Sequence, residues 1–281
     1  MRLRTNPGFK QLEKIVNIIL FSLNPAMFRV LIHKTFERIV ELRKDESGPA
    51  EYWARDNCIS LSEWLVAIDK ELYLETTMVV NRIRALSEVK VKELLSLGID
   101  LGGGGSIELL YFLTRKVMPK VILETGVAAG WSSFTLLSAV EKNKNNAVLL
   151  SSDLPYFRIR KPEQYIGVLV PEELRGKHWK LEIKGDDLNL LKLISEETKL
   201  QLVHYDSDKR KMGRGKFLNT ISKSLDNDSI LVMDDIQNNL AFKEYVSKAN
   251  LPYVVIKSEE KFVGIIFYGA LSNLLPSQKS N

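Results

Sequence analysis

Short β-rich runs alternate with helical stretches over the second half of this 281-residue chain, and this alternation limits the possible folds most. Strands joined through helices form crossover units and a parallel sheet. We therefore predict an α/β fold with a Rossmann-like, doubly wound, seven-stranded sheet. The expected strands are Val121–Glu124, Ala147–Asp153, Trp179–Gly185, Leu200–Tyr205, Ser229–Asp234, Tyr253–Lys257 and Phe262–Tyr268, and the expected helices are Ser132–Glu141, Leu188–Glu196, Lys216–Leu225 and Leu240–Ala249.

The last two of these runs are separated only by the four residues SEEK. A connection this short joins antiparallel neighbours and cannot hold a crossover helix. The last strand is therefore expected to run antiparallel to the others.

The first third of the chain has the three- and four-residue spacing of apolar residues that is typical of helices. We expect a helical N-terminal region over residues 1–116, which covers the active site or mediates a homodimer, and a ligand-binding sheet domain over 117–281. The four glycines at 102–105 are either a loop that approaches a ligand closely or a plain linker. The apolar segment Ile15–Leu23 is too short to cross a bilayer, so we expect no transmembrane span.

The composition excludes several classes of protein. The formal net charge is only +5, and 27% of the residues are charged, so the chain lacks the basic character of a nucleic-acid-coating protein. Its single cysteine, Cys58, cannot form an internal disulfide, which favours a reducing compartment, the cytoplasm.

Acidic residues follow most of the predicted strands. In a doubly wound sheet, ligands bind beyond the carboxyl ends of the strands, so these acids are expected around one site. Carboxylates at one edge repel each other, which favours cationic ligands. The acids are Glu124 and Asp153 after the first two strands, Asp186 and Asp187 after the third, Asp206 and Asp208 after the fourth, and Asp234 and Asp235 after the fifth.

The first predicted strand runs into a glycine-containing turn, Glu124-Thr-Gly126-Val-Ala-Ala-Gly130, just before a helix. Two glycines allow the backbone to approach a nucleotide-like ligand, although many such turns contain glycine for contact between helix and strand alone. Asp153 ends the next strand, where a carboxylate can accept hydrogen bonds from both hydroxyls of a ribose.

With these motifs, the segment from Val121 to about Tyr268 resembles the class I S-adenosylmethionine-dependent methyltransferases, in particular the O-methyltransferases of bacterial small-molecule and sugar biosynthesis. The resemblance says little about the helical first third. It implies that the chain is an enzyme with S-adenosylmethionine as cofactor. It further implies cofactor contacts at Glu124, Gly126 and Gly130 for the methionine end, Asp153 for the ribose and Asp186 near the adenine. Ser132 is also expected to bind the cofactor.

The sequence is also similar to the metal-dependent O-methyltransferases, which place one Asp after the fourth strand and an acidic pair after the fifth. Asp206, Asp234 and Asp235 match that pattern. The similarity implies an octahedral Mg²⁺ that lowers the pKa of the acceptor hydroxyl and orients its oxygen. Two general bases remain open, Lys209 as in the catechol type and Asp208 as in certain sugar enzymes; the third reading is that both are merely turn residues.

Other readings stay open as well. A NAD-binding protein would carry a closer glycine pair than ETGVAAG, and an amino-group methyltransferase would carry a Pro-Pro-aromatic motif where this chain has DSDK. A metal-independent methyltransferase and a cofactor-binding scaffold without catalysis are the remaining alternatives. We expect His204 to be a hydrogen-bonded core residue.

The acceptor is expected to be a small molecule or a sugar. Two basic clusters, at 209–216 and at Arg158, Arg160 and Lys161, either line the mouth for an anionic acceptor or form solvated surface. Neither has the interleaved aromatic residues that single-stranded nucleic acid requires, so we expect no nucleic-acid partner.

Overall fold

The predicted sheet forms in the computed structural model, which describes residues 7–23, 25, 28, 31–32, 45–176, 178–258 and 260–276. The strands are β1 (Cys58–Ile59), β2 (Val121–Thr125), β3 (Val148–Ser152), β4 (Trp179–Glu182), β5 (Leu200–Tyr205), β6 (Leu225–Met233), β7 (Tyr253–Ser258) and β8 (Lys261–Phe267). The helices are α1 (Pro7–Ser22), α2 (Ser47–Asn57), α3 (Leu61–Ile68), α4 (Lys70–Ser96), α5 (Ile107–Val117), α6 (Trp131–Asn143), α7 (Asp186–Leu193), α8 (Lys211–Ile221) and α9 (Ala241–Ala249).

The strands form one mixed sheet in the order β1-β7-β8-β6-β5-β2-β3-β4. Strand β8 pairs antiparallel with both β6 and β7, whereas the other neighbours are parallel. The doubly wound fold and the antiparallel last strand are thereby confirmed. Its strand order reverses beside β2, which places a crevice at the carboxyl ends of β2 and β5.

The prediction of seven strands is short by one. Cys58 and Ile59 pair in parallel with Val255 and Ile256 of β7, so the N-terminal region adds an edge strand to the sheet. Two residues are too few to show the alternation of polar and apolar residues by which a strand is predicted.

The helices of the N-terminal region share a hydrophobic core with one face of the sheet. Leu65 of α3 and Ile83 of α4 belong to the same buried cluster as Ile122 of β2 and Val263 of β8. The indole Nε1 of Trp64 also donates a hydrogen bond to the backbone oxygen of Leu274, near the far end of the chain, at 2.8 Å. Helices α3 and α4 are therefore held against the sheet by buried contacts.

A second buried cluster covers the other face of the sheet. It joins β5 and β6 to α8 and α9 through residues such as Phe217 and Phe242. Helix α8 begins at Lys211, five residues before the predicted Lys216. Gly213 lies in its first turn, where a Cβ would meet the Asp208 carboxyl carbon at 2.5 Å, so a larger residue there would displace Asp208.

The apolar segment Ile15–Leu23 falls in α1 and the residue after it, where Ile15, Val16, Ile19 and Leu20 are about half exposed. Phe36, Ile39 and Val40, which belong to the predicted N-terminal helical pattern, lie outside the described residues. Among the helices that are described, none combines the length and the apolarity needed to span a membrane.

The shared core predicts that the N-terminal helices and the sheet unfold together. Leu65→Ala removes a fully buried side chain and should lower the free energy of unfolding by about 2–5 kcal/mol. Val66→Ala, one position along the same helix but 37% exposed, should cost about 0.5 kcal/mol or less. Urea unfolding followed by circular dichroism measures both. A separate early transition for Leu65→Ala, with the main transition unmoved, would contradict the shared core.

Candidate active site

A cavity of about 470 Å³ opens at the carboxyl ends of the central strands. This volume lies within the range of roughly 300–1,000 Å³ that small-molecule sites occupy. Of the predicted site residues, Gly126, Ser132, Asp153, Asp186, Asp206, Lys209 and Asp234 line it. The sheet therefore brings together residues that are up to 108 positions apart in the sequence, from Gly126 to Asp234.

The turn after β2 has the close backbone approach that its glycines predict. Gly126 has φ +84°, and a Cβ on it would lie 2.3 Å from the backbone oxygen of Asp206. Gly130 has φ +99° and packs against the Cα of Gly167, where a Cβ would lie at 2.8 Å. Gly126 lines the cavity, whereas Gly130 serves contact between two backbone segments behind it.

Glu124 lies beneath this turn, fully buried, and does not line the cavity. Its Oε2 accepts hydrogen bonds from the hydroxyls of Ser133 and Ser151, both at 2.7 Å. The carboxylate thus ties β2 to α6 and β3 and fixes the turn from below. Its Oε1 is buried without a hydrogen bond.

Asp153, just after β3, presents a carboxyl group to the cavity. Its two oxygens accept hydrogen bonds from the backbone N–H groups of Ala128, at 2.8 Å, and Leu154, at 2.7 Å. Burial raises the pKa of Asp153 to about 7; the two backbone hydrogen bonds oppose this shift, and the nearby carboxylates of Asp186 and Glu124 add to it. Ligand groups that donate hydrogen bonds or carry positive charge would favour its ionised form.

Asp186, the first residue of α7, forms the far end of the same wall. Its Oδ1 accepts from the Ser152 hydroxyl at 2.5 Å, and its Oδ2 accepts from the Ser207 hydroxyl at 2.6 Å. These bonds connect the ends of β3 and β5, so Asp186 is held rigidly beside Asp153. Ser132 lines the cavity from the first turn of α6.

A lysine joins the two loops that follow β5 and β6. The Lys209 ammonium contacts Asp206 Oδ1 closely and lies 2.6 Å from Asp235 Oδ2. Burial lowers the pKa of Lys209, and the charge of Asp235 opposes that shift only in part. For Asp235, burial raises the pKa, but the neighbouring Lys209 and Lys261 charges hold it below its usual value.

The Asp234 carboxylate lies beside His204 and not beside Lys209. It is 2% exposed, and its Oδ1 lies 3.6 Å from His204 Nε2, beyond hydrogen-bond distance. Both ring nitrogens of His204 and this Oδ1 are buried without a hydrogen bond. His204 is buried as predicted, but the expectation that it is hydrogen-bonded is wrong, because the Asp234 carboxylate lies too far away to accept a hydrogen bond from the ring. The His204 ring also lines the cavity.

A buried arginine that we did not predict from the sequence lies beneath these carboxylates. Arg214, fully buried in α8, donates from one guanidinium nitrogen to the backbone oxygens of Asp234, at 3.0 Å, and Asp235, at 2.7 Å. Asp235 has φ +55°, a conformation that costs a non-glycine residue about 1–3 kcal/mol. Arg214 supports this strained turn, and its only sequence signal was its place within a basic run that reads as solvated surface.

Asp208 lies on the opposite side of the loop from the main cavity. Its Oδ1 accepts from Arg210 Nε at 2.8 Å and from the Arg210 backbone N–H at 3.1 Å. It lines a smaller neighbouring cavity of about 120 Å³ between α7 and α8. Of the two predicted bases, Lys209 is the one that faces the large cavity.

The remaining wall comes from segments that sequence reasoning left open or missed. The glycine run approaches the site closely: a Cβ on Gly105 would lie 3.1 Å from Asp234 Oδ2, and one on Gly104 would lie 3.0 Å from the Trp131 ring. Trp131, Tyr156 and Lys261 also line the cavity. The basic residues Arg158, Arg160 and Lys161, predicted at its mouth, are not among the lining residues.

The predicted metal ligands converge only in part. Asp206 and Asp235 share one cation, the Lys209 ammonium, while Asp234 faces His204. Within the described ranges, no group of three or more His, Cys, Asp or Glu side chains is arranged to hold a metal ion.

The comparisons with known proteins agree with this geometry. A family model described as a methyltransferase domain matches residues 123–236, from within β2 to just past the acidic pair after β6. No curated protein matches the chain.

Solved structures with the same fold include several O-methyltransferases. One is TomG from Streptomyces achromogenes, an O-methyltransferase involved in tomaymycin synthesis and solved with S-adenosylmethionine; it is 18% identical over 66% of this chain and 90% of its own, with a TM-score of 0.52. A Klebsiella pneumoniae protein, provisionally described as an O-methyltransferase, is 16% identical over 68% of this chain and 90% of its own, with a TM-score of 0.52. With the family match, these structures confirm the predicted resemblance and its fold.

The raised pKa of Asp153 predicts a pH dependence of cofactor binding. With Asp153 as the predicted acceptor of both ribose hydroxyls, its ionised form is the better acceptor, so the affinity for S-adenosylhomocysteine should rise up to tenfold per pH unit below about 7 and level off above it. Calorimetric titration across about pH 5.5 to 8.5 measures this change. Asp153→Asn, which keeps the shape but cannot ionise, should bind more weakly and show no step. An equal step in both proteins would assign it to another group.

Proposed function

We propose that this chain, a class I methyltransferase that uses S-adenosylmethionine, transfers the methyl group to a hydroxyl of a small molecule or sugar. The observation that carries the proposal is that one cavity is lined both by residues expected to bind the cofactor and by residues expected to act on the acceptor. The former would be Gly126, Asp153 and Asp186, and the latter would be Asp206, Lys209 and Asp234. TomG, the structural neighbour that acts in tomaymycin synthesis, supports a small-molecule acceptor.

On the cofactor side, each residue has a defined task. Gly126 lines the cavity without a side chain, so the methionine end would approach the backbone directly there. Asp153 would accept the ribose hydroxyls, and the hydrogen bonds from Ala128 and Leu154 hold its carboxylate in place for them. Asp186, fixed by Ser152 and Ser207, would lie near the adenine.

On the acceptor side, Lys209 is the proposed base. When bound, S-adenosylmethionine would supply the methyl group, and the acceptor hydroxyl would become a methyl ether with S-adenosylhomocysteine as the second product. The hydroxyl proton would pass to the Lys209 amine in its neutral form. Lys209 lines the cavity at the ends of β5 and β6, and burial lowers its pKa, which eases the loss of the proton that it must first give up.

We further propose that Asp206, Asp234 and Asp235 hold Mg²⁺. Two observations support the fit: the carboxylates of Asp206 and Asp235 already converge on one cation, and Asp234 Oδ1 is buried without a hydrogen bond. An all-oxygen donor set of this kind suits Mg²⁺. Bound there, the ion would supply positive charge that lowers the pKa of the acceptor hydroxyl. The Lys209 ammonium would have to leave the carboxylates to make room.

A metal-independent reaction is the second candidate, and the position of Lys209 favours it. The ammonium already supplies one positive charge to Asp206 and Asp235 without any metal ion. In that case Lys209 would act as the fixed cation of the site, and the acceptor proton would leave to another group or to water.

Neighbouring aspartates in one loop provide a matched test. Asp206→Asn should lower methyl transfer at least about 100-fold because it removes a carboxylate from the reacting side of the cavity. Asp208→Asn should change it less than about threefold because Asp208 faces the smaller cavity with Arg210. The measurement is transfer of tritiated methyl from S-adenosylmethionine to a panel of catechols and monosaccharides. A larger loss in Asp208→Asn would instead make Asp208 the base.

The metal is tested on the same variants without an acceptor. Calorimetric titration with MgCl₂ should show binding by the wild type and by Asp208→Asn, and none by Asp206→Asn. Full methyl transfer in excess chelator, with no heat of Mg²⁺ binding, would favour the metal-independent reaction.

A further inference from the structure

The longest helix, α4, is apolar on two opposite faces. Its inner face is buried against the sheet domain through residues such as Val80 and Ile83. A surface helix normally has one apolar stripe, and a helix that is apolar all round is covered on every side. The outer face nevertheless carries three large apolar side chains that are more than half exposed: Leu74 (55%), Met78 (67%) and Val89 (68%).

The outer face is also complementary to itself. If two copies of α4 meet antiparallel about a two-fold axis between Asn81 and Arg82, residues of the two copies lie at the same height when their numbers add up to 163. Leu74 then meets Val89, so apolar residues face each other. Met78 meets Ala85 near the axis, and Glu71, just beyond Leu74, meets the oppositely charged Lys92.

We propose that the outer face of α4 binds the same face of a second copy of this chain, antiparallel, across a two-fold axis at residues 81 and 82. From Lys70 to Glu93 the contact would run for about 35 Å at 1.5 Å per residue. Such an isologous contact repeats every favourable pair twice. It would bury the three exposed apolar side chains, which no described segment of the same chain covers.

The charges of this face are available for such pairing. Lys92 now contacts Glu88, and Lys90 lies 3.0 Å from Glu93, but all four side chains are 47–71% exposed. Exposed ion pairs of this type contribute about 0.5 kcal/mol or less, so exchange for partners across the interface costs little.

A charge exchange tests the interface and its register together. Glu71→Lys places two lysines opposite each other twice per dimer, and Lys92→Glu does the same with two glutamates. Each single variant should weaken the dimer at least about tenfold, and the double variant should recover to within about threefold of the wild type. Lys180→Glu, an equal charge change at an exposed position of β4, is the control. Sedimentation equilibrium measures the dissociation constants, with a dimer at twice the 32.0 kDa chain mass.

Cysteine cross-linking tests the orientation. Asn81→Cys lies beside the proposed axis and should form a covalent dimer on mild oxidation. Val89→Cys lies on the same face but about 22 Å from its two-fold copy, and it should not. Circular dichroism should show wild-type folding for every variant, since all substituted positions are exposed.

Three results would overturn the proposal. The first is a wild-type monomer at micromolar concentration. The second is a dimer that the single charge variants leave unchanged, as expected if the exposed stripe of α1 or another face formed the contact. The third is cross-linking of Val89→Cys as efficient as that of Asn81→Cys, which would indicate parallel helices.

Discussion

The site depends on one close backbone contact between the turn after β2 and the end of β5. Gly126 lies so near the backbone oxygen of Asp206 that a Cβ would approach it to 2.3 Å, and the Asp206 N–H donates to Thr125 at 3.0 Å. This contact joins the turn proposed to hold the cofactor to the loop proposed to react. Any residue other than glycine would push the two apart, and because protein interiors are close-packed, the shift would spread to the neighbouring strand ends.

Charge balance is the second constraint on this edge of the sheet. Five carboxylates lie there, those of Asp153, Asp186, Asp206, Asp234 and Asp235. Their mutual repulsion would drive them apart if no positive charge or hydrogen-bond donor balanced it. Lys209 lies between Asp206 and Asp235, Arg214 holds the backbone of the acidic pair, and backbone N–H groups support Asp153. Burial raises the pKa of Asp153 to about 7 despite its two backbone hydrogen bonds. A cofactor with a positive centre, such as the sulfonium of S-adenosylmethionine, would favour its ionised form.

Local pattern was enough to predict most of the sheet and the acids at its edge. Strands β2 to β8 have runs long enough to show β-rich character, and the four-residue SEEK connection fixed the direction of β8. The misses are residues whose role depends on contacts distant in sequence. Cys58 and Ile59 form a strand only because β7 lies beside them, and Arg214 is buried only because α8 packs under the acidic pair. The sequence likewise could not show that Asp208 and Lys209, adjacent in the chain, face different cavities.

We propose that the cavity at the strand ends binds S-adenosylmethionine with its ribose on Asp153 and its reacting end toward Asp206 and Lys209. A crystal structure of the protein with S-adenosylhomocysteine would test this binding mode. We expect both ribose hydroxyls within hydrogen-bond distance of the Asp153 carboxylate, and the sulfur on the side of the cavity lined by Lys209. A cofactor bound outside this cavity, or bound within it with the ribose away from Asp153, would contradict the proposed binding mode.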